Sequence, residues 1–267
     1  DLHVTDVLGC SLKKNLNICS DSVAYIRSKG IETIFDAEHF FDGYLRNPEY
    51  AMKVLASVVE AGADTIVLCD TNGGVLPDQV YQITRTVSEE FRNVEIGMHA
   101  HDDTGCAVAN TLAAVRAGAR HVQGTINGLG ERCGNANLCV LIPNLVFKMG
   151  FEVLPEENIR RLTEVSHFVF EIGNITPVTN MPYVGTSAFA HKAGLHVNAL
   201  QKNDLSYEHI SPSLVGNERR FLISELSGKS NIIAELEKVS LADNKKLAKK
   251  VLNRVQELEN EGYQFEA

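Results

Sequence analysis

Short apolar runs recur about every 30 residues in this chain, and each one ends in a cluster of polar side chains. The runs are 32–37 (ETIFDA), 64–69 (DTIVLC), 94–99 (VEIGMH) and 121–126 (HVQGTI). They are rich in Val, Ile and Thr, whose branched side chains suit a pleated, half-buried surface. Helical patterns fill the gaps. Residues 48–61 open on Pro48 and stop before Gly62, and 77–91 open on Pro77 with Asp78 behind it. Residues 103–117 stop at Gly118, and 134–149 stop at Gly150. Such alternation predicts a parallel sheet, because parallel neighbours need a crossover long enough to hold a helix.

Two architectures compete for that pattern. An open dinucleotide-binding sheet carries G-x-G-x-x-G at its first strand-to-helix turn, and this chain has none. A (β/α)8 barrel collects its chemistry at the carboxyl ends of several strands. All four runs end in polar groups: Asp36 to His39, Asp70 to Asn72, His99 to Asp103, and Asn127 to Arg132. The barrel is therefore expected, with four of its eight strands present. Residues 151–226 read as a post-barrel linker and subdomain, with a helix over 155–172 and an irregular 173–185. Residues 227–267 read as a second helical subdomain, its amphipathic helix at 243–261 and Lys245, Lys246, Lys249 and Lys250 on the solvated face.

Composition narrows the function. A net charge of −9 disfavours nucleic acid and anionic membrane as partners. No apolar run approaches the roughly 20 residues of a membrane span. The opening Asp-Leu-His-Val has no leader pattern. The six cysteines include no C-x-x-C pair and are expected to be reduced thiols of a cytoplasmic protein.

The stretch 97–105 (GMHAHDDTG) is the most informative. On a strand, residues two apart face the same side, so His99 and His101 project together. Two neutral imidazoles so placed can share a divalent cation; the ordinary alternative is a pair of packed, hydrogen-bonded histidines. Asp102 or Asp103 can cap the helix that follows, and Asp103 is favoured as a cap over a ligand. A second stretch, 128–137 (GLGERCGNAN), has three glycines within seven residues and predicts backbone brought close to a ligand. There the side-chain oxygen of Asn135 can complete a cation site.

Taken together, FDAEHFFDGY, LCDTNGG, GMHAHDDTGCAVAN, NGLGERCGNA and FAHKAGLHVNAL resemble the family of α-isopropylmalate, homocitrate and citramalate synthases. CDTNGG and YEHISPSLVGNERR are most similar to its bacterial citramalate branch. The resemblance covers nearly the whole chain. It implies a (β/α)8 barrel that condenses acetyl-CoA with a 2-oxo acid on a divalent metal such as Mg, Mn, Zn or Co. Pyruvate is the favoured oxo acid and 2-oxoisovalerate its rival. Carried over residue by residue, it makes His99 and His101 metal ligands and Asn135 a weaker one. Thr71 holds the oxo-acid carboxylate, and Glu38 sits close to the acetyl group. His196 and Tyr207 reach the active site of a partner subunit in a homodimer. For Glu38, His196 and Tyr207 the residues alone also allow a surface acid, a helix-face histidine and a packed aromatic.

One departure stands out. The family opens on a D-x-T-x-R-D-G motif that supplies a carboxylate ligand and an arginine, and this chain contains no Arg-Asp-Gly. The expectation is a C-terminal half barrel (strands five to eight), inactive alone and poorly soluble because of its open strand edges. A stand-alone dimerisation or binding module is the alternative.

Overall fold

The computed structural model describes residues 1–191, 194–200, 202–221 and 245–263. The chain divides into two compact units, Asp1–Leu141 and Ile142–Ala267.

The first unit is a sheet of four parallel strands in the order β1-β2-β3-β4: β1 Ile34–Ala37, β2 Thr65–Asp70, β3 Glu95–Ala100 and β4 His121–Gln123. Helix α1 (Leu12–Arg27) precedes β1, with its first turn capped by Ser11, whose Oγ accepts from the Lys14 amide at 3.2 Å. Helices α2 (Phe40–Arg46) and α3 (Pro48–Glu60) cross from β1 to β2, α4 (Pro77–Glu90) from β2 to β3, and α5 (Ala107–Arg116) from β3 to β4. Asn47 caps α3 through the Tyr50 amide at 3.1 Å, one residue ahead of Pro48.

Every residue of β2 is buried, as expected of a strand covered on both faces. The two faces differ. Ala37, Ile66, Leu68, Ile96, Met98 and Ala100 join Leu55, Val58, Val80, Ile83, Val87 and Ala114 of the helices in the main core. Alternation turns Asp36, Val67, Cys69, Gly97, His99, His121 and Gln123 to the opposite face.

A single hydrogen bond reveals the curvature of that second face. Gln123 of β4 donates through Nε2 to Oδ1 of Asp36 of β1 at 3.0 Å. Strands lie about 4.8 Å apart, so the two edge strands of a flat four-stranded sheet would be about 14 Å apart. The register also offsets the two residues, since Asp36 is level with Val67, Gly97 and His121, two positions before Gln123. Contact between them requires a sheet curled inward, as in a barrel. Gly97 makes room for that curl: a Cβ there would lie 2.8 Å from Val67 Cγ2 and 3.0 Å from His121 Cδ2.

The strands match the expected runs to within two residues, except the fourth, which ends at Gln123. A Cβ at Gly124 would come within 2.5 Å of the Ala136 carbonyl oxygen, so another segment already occupies the next position. The helix expected from 103 begins at Ala107, and the one expected from 134 begins at Leu138 (α6, Leu138–Pro143), with a π-helical turn over Asn144–Lys148.

The second unit is mainly helical. It holds α7 (Glu156–Ile159), α8 (Leu162–Ile172), α9 (Gly194–Leu200) and a terminal helix, Lys245–Asn260, with a two-stranded parallel pairing of β5 (Ala190–His191) and β6 (Arg220–Phe221). The 173–185 stretch is irregular backbone. Its end is buried at Tyr183 and Val184, and Asn217 donates to the carbonyls of Tyr183 and Gly185 at 2.9 and 3.0 Å. Residues 222–244, which include the expected subdomain boundary after 226 and the start of the helix expected over 243–261, lie outside the described residues.

Candidate metal centre

The carboxyl ends of β2, β3 and β4 are stitched into one platform. Asp70, at the end of β2, is buried and accepts from the amides of Gly74 and Val75 at 3.2 and 3.3 Å and from Asn110 Nδ2 at 3.4 Å. Burial pushes its carboxyl up, and those hydrogen bonds oppose the rise. Its work is to hold the 71–75 turn. That turn meets the one after β3, where Thr104 Oγ1 donates to the Gly73 carbonyl at 2.8 Å. A Cβ at Gly73, whose φ is +62°, would lie 2.5 Å from Asp103 Oδ2, so only glycine allows this approach. Arg132, after β4, grips Asp103 with two donors at 2.8 and 2.9 Å and the Thr71 carbonyl at 2.7 Å.

The capping expectation changes here. Cys106 is the N-cap residue of α5, and it is Asp102, not Asp103, that reaches the helix start, where its Oδ1 accepts from the Ala107 amide at 2.8 Å. Asp103 faces Arg132 instead, and that side-chain hydrogen bond holds its carboxyl below the usual carboxylate range.

His99 and His101 converge as strand alternation requires, with their Nε2 atoms 3.4 Å apart. Two imidazole nitrogens each about 2.1 Å from one cation are separated by roughly this distance at a near-tetrahedral angle. Asn135 lies against them. An isolated bridge pairs it with His101, and its Nδ2 is 3.2 Å from His99 Nε2. Turning the amide over brings the carbonyl oxygen, the atom a cation takes, to the same place. Burial first, then His99 and Arg132, lower the pKa of His101, which favours the neutral form a ligand needs. His101 Nδ1 is buried without a hydrogen-bond partner among the described residues. The donor set therefore fits a cation held by two nitrogens and an amide oxygen. Among the described residues no group of three His, Cys, Asp or Glu side chains surrounds a common point. Cys69 is level with His99, but burial and the nearby Asp36 and Glu38 push its thiol up to about 12, so it stays protonated.

The other expected site residues fall in two places. Thr71 Oγ1 accepts from the His39 amide at 2.8 Å, which leaves the hydroxyl proton to donate elsewhere. Glu38 follows β1 with its side chain 77% exposed, 3.9 Å from His39 Nε2. It lines a cavity of about 750 Å³ together with His3, His39, Arg46, Tyr50 and Asn72. His196 and Tyr207 belong to the second unit, where their rings stack with centroids 4.0 Å apart. Beside Tyr207, the buried Glu208 is held by Arg219 at 2.6 and 2.7 Å and by His191 at 3.1 Å. Asp36 and Asp70 stood out in the sequence only as polar strand ends with no role attached, and Gln123 and this Glu208 cluster did not stand out as site residues. The only signal for Gln123 was a polar residue two positions into an apolar run.

Fold and site together define a parallel β/α-barrel protein with its polar machinery at the carboxyl ends of the strands. Residues 1–169 match the HMGL-like family model, and residues 183–263 match the homocitrate synthase post-HMGL domain-like model. The chain belongs to the HMGL-like family. It is 54% identical over 269 residues to the (R)-citramalate synthase of Aquifex aeolicus, covering 100% of this chain and 51% of that one. It is 51% identical over 276 residues to the (R)-citramalate synthase of Synechocystis sp., covering 100% and 50%. The probable 2-isopropylmalate synthase of Methanopyrus kandleri is 33% identical over 262 residues, covering 98% and 51%. The chain thus spans about half the length of these curated relatives. Among solved structures, the HMG-CoA lyase of Bacillus subtilis superposes with a TM-score of 0.55 at 21% identity, over 67% of this chain and 62% of that one, a likeness of fold.

Proposed function

We propose that this chain serves a metal-dependent condensation of acetyl-CoA with a 2-oxo acid, and that the oxo acid is pyruvate, giving citramalate. The observation that carries this reading is the step in identity. Five relatives named (R)-citramalate synthase are 48–54% identical to the chain, whereas three named 2-isopropylmalate or homocitrate synthase are 33–35% identical. In this reading His99, His101 and Asn135 hold a divalent cation, which when bound polarises the oxo-acid carbonyl. The Thr71 hydroxyl donates to the oxo-acid carboxylate. Glu38, acting with His196, takes a proton from the acetyl methyl group, and the resulting enolate attacks the carbonyl carbon. Water then cleaves the thioester and releases CoA. Tyr207, stacked on His196, works beside it in a homodimer where each subunit completes the other's site. A cytoplasmic setting is part of the same reading.

The test is CoA release with pyruvate, 2-oxoisovalerate and 2-oxoglutarate in parallel, for the chain as it stands and extended to the length of its relatives. The expected result is turnover on pyruvate well above the other two. Equal rates on all three, or none on pyruvate, defeat the assignment, and preference for 2-oxoisovalerate transfers it to isopropylmalate synthesis.

A further inference from the structure

The contact between the edge strands continues to a candidate ligand. Gln123 donates through Nε2 to the Asp36 carboxylate at 3.0 Å, and its Oε1 lies 2.8 Å from Nδ1 of His99. The three side chains come from β1, β4 and β3, and their order dictates where the protons sit. The Asp36 oxygen accepts in that bond, so the amide turns its NH2 end toward Asp36. That leaves the amide oxygen facing His99, and an amide oxygen only accepts. Nδ1 of His99 must then carry the ring proton, and its Nε2 must present a lone pair. The same Nε2 faces Asn135 and His101.

We infer that Gln123, anchored by Asp36, is a positioning residue that fixes the tautomer and ring orientation of His99 so that its Nε2 lone pair faces the cation. The inference rests on the reading of His99 as a metal ligand. Its physical content is twofold: a partner on the far nitrogen removes the wrong tautomer and locks the ring, and a carboxylate behind that partner raises the basicity of the ligating nitrogen.

Two measurements on the full chain test it. The first needs no metal: long-range ¹H–¹⁵N correlation of the imidazoles reports which nitrogen of His99 is protonated. The expected result is protonation at Nδ1 in the native chain and in the paired variant Asp36→Asn with Gln123→Glu, which keeps an acceptor facing Nδ1 and a donor behind it, and its loss in Gln123→Met, which has no acceptor. A native His99 protonated at Nε2 overturns the inference, whether or not any variant folds. The second is Mn²⁺ affinity, read from the electron paramagnetic resonance signal of the free ion. Gln123→Met is expected to weaken binding about 10- to 100-fold, the range for losing such an outer partner, with the paired variant Asp36→Asn and Gln123→Glu recovering most of it. His99→Ala separates the two ideas. If His99→Ala loses Mn²⁺ while Gln123→Met keeps native affinity, the positioning role is wrong and the ligand stands. If His99→Ala binds Mn²⁺ like the native chain, or the native chain binds none, the ligand assignment fails and the positioning role falls with it.

Discussion

Asp102 and Asp103 show how two adjacent, chemically identical side chains acquire different work. Asp102 turns to the first amide of α5, while Asp103 turns outward to the Arg132 guanidinium. The second contact fixes a pH dependence. Because Arg132 lowers the folded Asp103 pKa, the clamp's contribution is complete above the ordinary carboxylate range and is lost as pH falls through the lowered value. We expect the carboxyl ¹³C titration of Asp103 to have its midpoint below that of an ordinary aspartate and to move up in Arg132→Gln. An unchanged midpoint in that variant assigns the shift elsewhere. At Glu38, the general-base role predicts that Glu38→Gln in the extended protein lowers kcat by about 10²- to 10⁴-fold, with Mn²⁺ affinity unchanged. Near-native turnover removes Glu38 from the mechanism. That His99 and His101 converge was legible from their spacing, and that the Asn135 loop approaches them from its glycine pattern. Their partners were not, because Gln123 and Asp36 are 87 residues apart and only the curl of the sheet joins them.

Among the elements, the first three strands were read within two residues, and β2, buried at every residue, carries the unbroken apolar signature of a strand covered on both faces. Helices α3 and α4 begin where expected, at Pro48 and Pro77, whereas those after β3 and β4 were read too early. Residues 103–106 form a turn through Gly105 before Asp102 can reach the start of α5, and 134–137 return to the sheet face through the bridges His101–Asn135 and Thr125–Asn137 before α6 begins. Helix α1 escaped notice altogether: Val23 is its one buried residue, while Ile18, Tyr25 and Ile26 are exposed, so its apolar periodicity is faint. Gly97 carries a prediction at this scale. Gly97→Ala puts a methyl group against Val67 and His121 on the concave face, and it should destabilise the first unit by about 1–3 kcal/mol, the range for overpacking. Urea unfolding followed by circular dichroism measures this, and a midpoint equal to the native one shows that the face has slack.

For the molecule as a whole, the barrel was legible from period and polar strand ends, and the curl of the sheet supports it. The order of the strands leaves β1 and β4 at its edges among the described residues. Around β1, Val7, Leu8, Ile31, Ile34 and Leu45 are all exposed, Ile34 by 45%. An exposed edge bordered by apolar side chains invites pairing between copies, and a charge on the edge suppresses it. We expect the chain to self-associate with concentration in size-exclusion chromatography with light scattering, and Ile34→Lys to shift it toward monomer. A monodisperse native chain at high concentration refutes the expectation.

The Asp36–Gln123 bond joins the two ends of the sheet, and His99 hangs from its middle. Flattening the sheet parts that bond and frees the imidazole to turn. By reciprocity, whatever holds the imidazole in place resists the flattening. On the proposed reading of His99 as a ligand, a bound cation is a tension member across the open mouth, and ion affinity and sheet stiffness become one coupled quantity that either a chelator or a strained strand can lower.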